Sequence, residues 1–374
     1  MAYFFQLPLI TDLTEDQQMA LEEKNPIAIS GGAGTGKTVV SLWRHIQNID
    51  VLNKSSMITT YTKTLHSYLL NSAKSLSNEA WKYVWTSQVI YTHGGNWKID
   101  EILIDEAQDL TFEHLQNMKN YAKHISYGAD FNQQLYEGRV KENEIKNLFP
   151  NNIEYSLQQN FRNSYHILNF AKAILPNFYI PQNTLDELED KNIGLKPIMF
   201  ITNDLDKEIA KIIELINEFK SDTHNIAILL PFGKDTFKNG QKVEDSVDNY
   251  YNILSSKNID CSRYFNEMNT DNIKISNIHI TTHKSVKGLE FDTVIIPFMN
   301  KFKNYILKNT FPRVVNEEDY YVVFTRAKTN LYLLSSEKLD FIDNSICEIE
   351  FLENNHYNKH YISEMDTSYD EIPF

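Results

Sequence analysis

Only two cysteines, Cys261 and Cys347, occur in 374 residues, too few for a disulfide framework or a multi-cysteine zinc site. A reducing cytoplasm is therefore the expected location. Long apolar runs are missing as well. The longest, "IAILLPF" and "VIIPFM", have the length of strands and fall far short of a membrane span. The N-terminus, "MAYFFQLPLITDLTEDQ", has no basic region and meets acidic residues at once, unlike a secretory signal peptide. Positive charge is in deficit: 36 Lys and Arg face 50 Asp and Glu, a net charge of −14. That total argues mildly against non-specific nucleic-acid binding, which needs a positive track for phosphates. It leaves room for one basic groove on an acidic body. Internal repeats and low-complexity blocks are also lacking.

What is present is the alternation of a soluble α/β protein, with 42% hydrophobic and 23% charged residues and length enough for two domains. Short β-rich runs alternate with helical patterns, which points to parallel sheets with crossover helices. In the first half the pattern predicts strands near 27–30, 56–61, 88–92, 101–105 and 125–129, with helices over 38–49 and 111–122. The second half predicts strands near 197–202, 225–231, 278–282, 293–298 and 330–335. In "DLDKEIAKIIELINEF", Ile209, Ile212, Ile213, Ile216 and Phe219 share one helical face. The expected division is 1–152, 153–340 and an acidic tail or late helix over 341–374, with the junction around 150–160.

Two motifs carry chemistry on their own. "ISGGAGTGKTVV" contains G-x-x-x-x-G-K-T from Gly31 to Thr38, between a strand and a helix. Such a loop closes backbone N–H groups around phosphates at the positive end of the helix dipole. Gly31, Gly32, Ala33, Gly34, Thr35, Gly36, Lys37, Thr38 and Val39 are thus the expected nucleotide-binding run. Lys37 would reach the β- and γ-phosphates, and Thr38 would offer its hydroxyl to Mg²⁺. "EILIDEAQDL" is an apolar strand ending in two carboxylates. Asp105 is suited to hold Mg²⁺ and Glu106 to act as general base toward the attacking water.

The letters DEAQ and their surroundings resemble the UvrD/Rep-type helicases of superfamily 1, in order from about residue 13 to 335. The resemblance implies two RecA-like P-loop NTPase domains with parallel sheets and an ATP cleft between them. "LTEDQ" is similar to the family's adenine-reading motif, with Gln17 in the reading position; the same letters also spell a helix capping box. "MITTYTKTL" is similar to a segment touching single-stranded nucleic acid, with Tyr61 as its aromatic and Lys63 near phosphates. In "GADFNQQLY", Gln133 takes the γ-phosphate-sensing position and Tyr136 the aromatic that follows; larger members carry a stacking tryptophan where this chain has Gly138. In "LQQNFRNSYHIL", Phe161 is implied to stack on adenine and Arg162 to be the first arginine finger. "HITTHKSVKGLEFDTVIIPFM" resembles the motif that couples the ATP site to nucleic acid. It puts Gly288 and Glu290 at the nucleotide, and Thr282 and Lys284 at the nucleic-acid backbone. The T-R-A of "YYVVFTRAKTNLYLL" makes Arg326 the second finger.

The spacing leaves only a modest subdomain around 176–195 and 232–270, so a stripped core without large accessory insertions is expected. The implied function is an ATP-dependent translocase or helicase on single-stranded nucleic acid, DNA ahead of RNA, unwinding weakly alone. The alternative is a nucleic-acid-gated ATPase subunit that regulates a partner such as a nuclease. Either reading expects a protein partner and no membrane.

Overall fold

The computed structural model describes residues 3, 7–93, 98–136, 138–191, 194–236, 240, 242–268, 273–307 and 315–352. Thirteen strands are described among them. In the first half they are β1 (Ile27–Gly31), β2 (Ser56–Thr60), β3 (Val84–Thr86), β4 (Ile99–Ile104), β5 (Ala122–Ala129) and β6 (Ile153–Leu157). They form one parallel sheet in the order β3-β2-β4-β5-β1-β6. In the second half they are β7 (Ile198–Ile201), β8 (Ile226–Leu230), β9 (Ser262–Tyr264), β10 (Ile278–Thr282), β11 (Phe291–Ile296), β12 (Ala327–Ser335) and β13 (Glu348–Phe351). Their sheet, also parallel, has the order β13-β7-β12-β11-β8-β10-β9. The α/β class and the two parallel sheets are those expected.

Parallel sheets need both faces covered, so their central strands read as continuous apolar runs. All five residues of β8, "IAILL", are buried for this reason. Its Ala227 and Leu229 face one core and Ile226, Ile228 and Leu230 the other. The second of these cores receives the apolar face of the helix Leu205–Phe219, where Ile209, Ile212 and Ile216 are buried and Ile213 and Phe219 pack at the edge. Asp204 starts that helix by accepting hydrogen bonds from the N–H groups of Asp206 and Lys207 at 2.9 and 3.3 Å.

Three expectations are corrected. Residues 88–92 lie in a helix, Ser87–His93, and the strand beside β2 is the three-residue β3 just before it. A short apolar run such as "VIY" has no decisive period, and Ser87 sits where a helix is readily started. The helix expected over 111–122 is Phe112–Met118, because β5 already begins at Ala122. Within 341–352 there is neither tail nor helix: Ile342 and Cys347 are buried and β13 pairs with β7. The remainder of that segment, 353–374, lies outside the described residues. Strand β6 pairs with β1, so the chain leaves the first sheet at Leu157.

Candidate active site

Strand β1 ends at Gly31, and the helix Lys37–Asp50 starts six residues later. Between them Gly34 and Gly36 take φ values of 70° and 90°, a region that residues with a Cβ rarely adopt. Gly36 offers the helix no side-chain cap, so the first N–H groups of the helix remain available to an anion. The Lys37 ammonium folds back over the loop and donates to the carbonyls of Gly31 and Gly32, both at 2.8 Å. The Thr38 hydroxyl donates to Asp105 Oδ2 at 2.8 Å, joining the loop to the end of β4.

Burial and the neighbouring Glu106 carboxylate push Asp105 above the usual carboxylate range. For Glu106 burial acts the same way, but Lys287, Lys37, the Gln108 amide and Arg326 outweigh it and hold the group ionised. Glu106 has φ 57° and ψ 48°, a left-handed conformation that costs a non-glycine residue about 1–3 kcal/mol and that clusters at functional sites. A hydroxyl beside a buried carboxylate is an oxygen donor set of the kind Mg²⁺ takes. Among the described residues no group of three or more His, Cys, Asp or Glu could hold a metal by itself.

Across the junction, Arg162 pairs with Glu290 at 2.8 Å, and Lys328 holds the other Glu290 oxygen at 3.1 Å. Arg326 is almost fully buried between the helix Glu317–Phe324 and β12. It donates to Gln133 Oε1 at 3.0 Å and to the carbonyls of Val322 and Leu289 at 3.0 and 3.2 Å. Burial, then the nearby Arg162, pull it down to about 9, which leaves it a cation at neutral pH. Gln133 in turn donates to Asp130 at 2.7 Å. Phe161 is 52% exposed, with the Lys191 ammonium 5.8 Å from its ring.

A cavity of about 370 Å³ gathers these groups. It is lined by Gln17, Ala33 to Val39, Glu106, Gln133, Phe161, Arg162, Gly288, Glu290 and Arg326, together with Leu7, Pro8, Asp12, Tyr68 and Lys328. Of the expected nucleotide and catalytic residues only Gly31, Gly32 and Asp105 are absent from its lining. Gln17 forms the capping box with Thr14, and its amide also donates to the Thr35 carbonyl at 3.0 Å.

The expected nucleic-acid residues are brought together in part. Tyr61 and Tyr136 meet edge to face at 5.2 Å. Lys63 is exposed two positions beyond Tyr61, and Gly138 is exposed with no described residue within 4 Å of where a Cβ would stand. Thr282 and Lys284 belong to the second half. Thr282 is buried and donates to Ser285 at 2.9 Å, while Lys284 stands 4.0 Å from Asp319.

Two residues that sequence reasoning passed over are prominent. Arg139 lies 4.7 Å over the Tyr61 ring and 5.4 Å over Tyr136, and donates to the Tyr61 hydroxyl at 3.0 Å. Its signal was its place beside Gly138, where an aromatic was looked for. Lys287, the lysine of K-G-L-E-F, is fully buried against the first half. It donates to Asp109 at 2.8 Å and to the Gln133 carbonyl at 2.6 Å, with Glu106 at 3.6 Å.

Comparison with known proteins agrees with the sequence resemblance. Residues 234–338 match the family described as the UvrD-like helicase C-terminal domain. A protein of Acanthamoeba polyphaga mimivirus named "Putative ATP-dependent DNA helicase R568" is 27% identical over 253 residues, covering 63% of this chain and 34% of its own. The chain therefore spans about a third of the length of the curated relative it matches. Among solved structures, an Arterivirus nonstructural protein 10 (helicase) in complex with DNA is similar over 87% of this chain and 63% of its own, at 15% identity and a TM-score of 0.42. A C-terminal domain of a possible DNA helicase from a Lactobacillus covers 50% of this chain and 98% of its own, at 18% identity and a TM-score of 0.35.

Proposed function

We propose that this chain, which carries a UvrD-like helicase C-terminal domain over residues 234–338, is an ATP-hydrolysing motor directed to single-stranded nucleic acid, DNA ahead of RNA. The observation that carries the reading is the cavity itself. A glycine loop, a carboxylate and a glutamine from the first half face two arginines and a carboxylate from the second across one space. In this reading residues up to the 150–160 junction form the nucleotide-holding domain and the following residues the domain that supplies the arginines.

The glycine-loop N–H groups and Lys37 bind the phosphates, displacing the bonds Lys37 now makes to Gly31 and Gly32. Thr38 and Asp105 would hold Mg²⁺, which neutralises charge on the β- and γ-phosphates. Glu106, ionised by its cationic neighbours, accepts a proton from the attacking water. Arg162 and Arg326 face charge that gathers on the transferred group, and Gln133, bonded to Arg326, reports the γ-phosphate to the second half. Phe161 offers an exposed ring to the adenine, and Gln17 fixes the loop from behind.

Tyr61, Tyr136 and Lys63 are the candidate contacts for a single strand, with Thr282 and Lys284 across the junction. The bare Gly138 favours a second reading beside the first, a nucleic-acid-gated ATPase that serves a protein partner and hardly separates strands. One measurement tests the common core of both: the ATPase rate without nucleic acid and with single-stranded DNA, duplex DNA or RNA. We expect stimulation by single-stranded DNA above the other two. A rate indifferent to all of them removes nucleic acid from the proposal.

A further inference from the structure

Far from the nucleotide cavity, three hollows of about 540, 200 and 190 Å³ lie along the N-terminal ends of the first sheet's strands, opposite the end that carries the glycine loop. They adjoin one another. The first and second share Lys54, and the second and third share Pro26, Lys123 and His124. Together they cross the sheet from β3 to β6, a run of six strands or about 24 Å at ~4.8 Å per strand.

The walls are basic on a strongly acidic chain. Lys24, Lys54, Lys98, Lys119 and Lys123 are all exposed there. The carboxylates in the same lining are Asp100, paired with Lys123 at 2.6 Å, and Glu101, buried against Arg44 at 2.9 Å. Apolar ground lies at both ends of the run, with Ile49, Met57, Trp85 and Ile99 at one and Leu148 and Phe149 at the other.

The geometry points to a docking groove for an extended, acidic segment of a partner protein that presents an apolar or aromatic side chain near each end. About 24 Å of groove matches roughly seven residues of extended polypeptide. Lysines between two apolar hollows complement a segment with carboxylates inside and anchors outside. A nucleic-acid strand fits less well, because base stacking needs successive open aromatic faces. Tyr83, at 45% exposure, is the one large exposed aromatic in this lining among the described residues. The inference stands apart from the nucleotide cavity and does not depend on ATP hydrolysis.

The test is fluorescence anisotropy on the full chain with two labelled synthetic peptides of about ten residues. One has glutamates at its inner positions and a phenylalanine near each end; the other has glutamines in place of the glutamates. Labelled oligothymidylate is the third arm. We expect the acidic peptide to bind at least about tenfold more tightly than its amide counterpart, and K54E/K98E to weaken it by at least about tenfold. Both lysines are exposed, so the variant should keep the wild-type thermal unfolding profile and ATPase rate. Carbodiimide cross-linking of the acidic peptide to Lys54 or Lys98 in the unaltered chain gives the same answer without a variant. Equal binding of the two peptides, no binding of the acidic one, or cross-links confined to lysines outside the groove would overturn the proposal. It is equally overturned if K54E/K98E weakens oligothymidylate and leaves the acidic peptide untouched.

Discussion

Lys287 is buried completely, and its three closest partners, Asp109, Glu106 and the Gln133 carbonyl, all belong to the other half of the chain. A lysine so placed needs compensation for lost hydration, and two carboxylates supply it. The same contact keeps Glu106 charged, so the proposed base is ready without any rearrangement of its own proton. Glu106→Gln should therefore still bind a fluorescent ATP analogue with near wild-type affinity. Its turnover should fall by at least about 10²-fold, the scale of a lost general base. A wild-type rate in that variant would mean that another group takes the proton. The glycine loop, Asp105 and Glu106 were legible in the sequence because each motif carries its chemistry within a few consecutive residues. Lys287 and Arg139 were not, since what makes them matter is a partner that folding brings near. Lys287 and Asp109 are 178 positions apart, and Arg139 and Tyr61 are 78 apart.

Among the elements, the turn before β11 packs directly on the helix Lys63–Leu76. Gly288 has φ 85°, and a Cβ there would stand 2.7 Å from the Leu65 side chain of that helix. Gly288→Ala should lower stability by about 1–3 kcal/mol through overpacking and strain. It should also depress nucleic-acid-stimulated ATP hydrolysis, because it wedges the halves apart. Gly240→Ala makes the control: φ is 82°, but no described residue lies within 4 Å, so backbone strain alone should show in denaturant unfolding. Equal losses in the two variants would deny the contact any special part. The sequence announced the buried strands well, because a strand covered on both faces is largely apolar, as β8 is throughout and β10 is in part. It did not announce β6, β9 and β13. These lie at or beside the sheet edges, where "IEYSL", "SRY" and "EIEF" are largely exposed or half-exposed and carry no such run.

For the whole molecule, the balance between gripping and moving along a strand decides the behaviour. Base–aromatic stacking contributes about 1–3 kcal/mol per base. With Gly138 bare, in the proposed reading Tyr61 and Tyr136 would have to carry it, on a body of net charge −14. The purified chain should hold single strands weakly, with affinity falling steeply as salt rises. It should hydrolyse ATP yet separate a tailed duplex poorly or not at all, and regain separation only with a partner protein. A strand-displacement assay at physiological salt checks this, and processive unwinding by the chain alone would refute it. The order of strands has a consequence for how such a chain is made. The first sheet is complete once Leu157 has emerged, since all six strands precede that point. Among the described residues strand β7 pairs only with β12 and β13, of which the nearer begins about 130 residues later. At ~5–20 residues per second it waits about 6–26 s on the ribosome before either neighbour exists. Through that interval "IMFI" is an unpaired apolar strand beside an already folded first half.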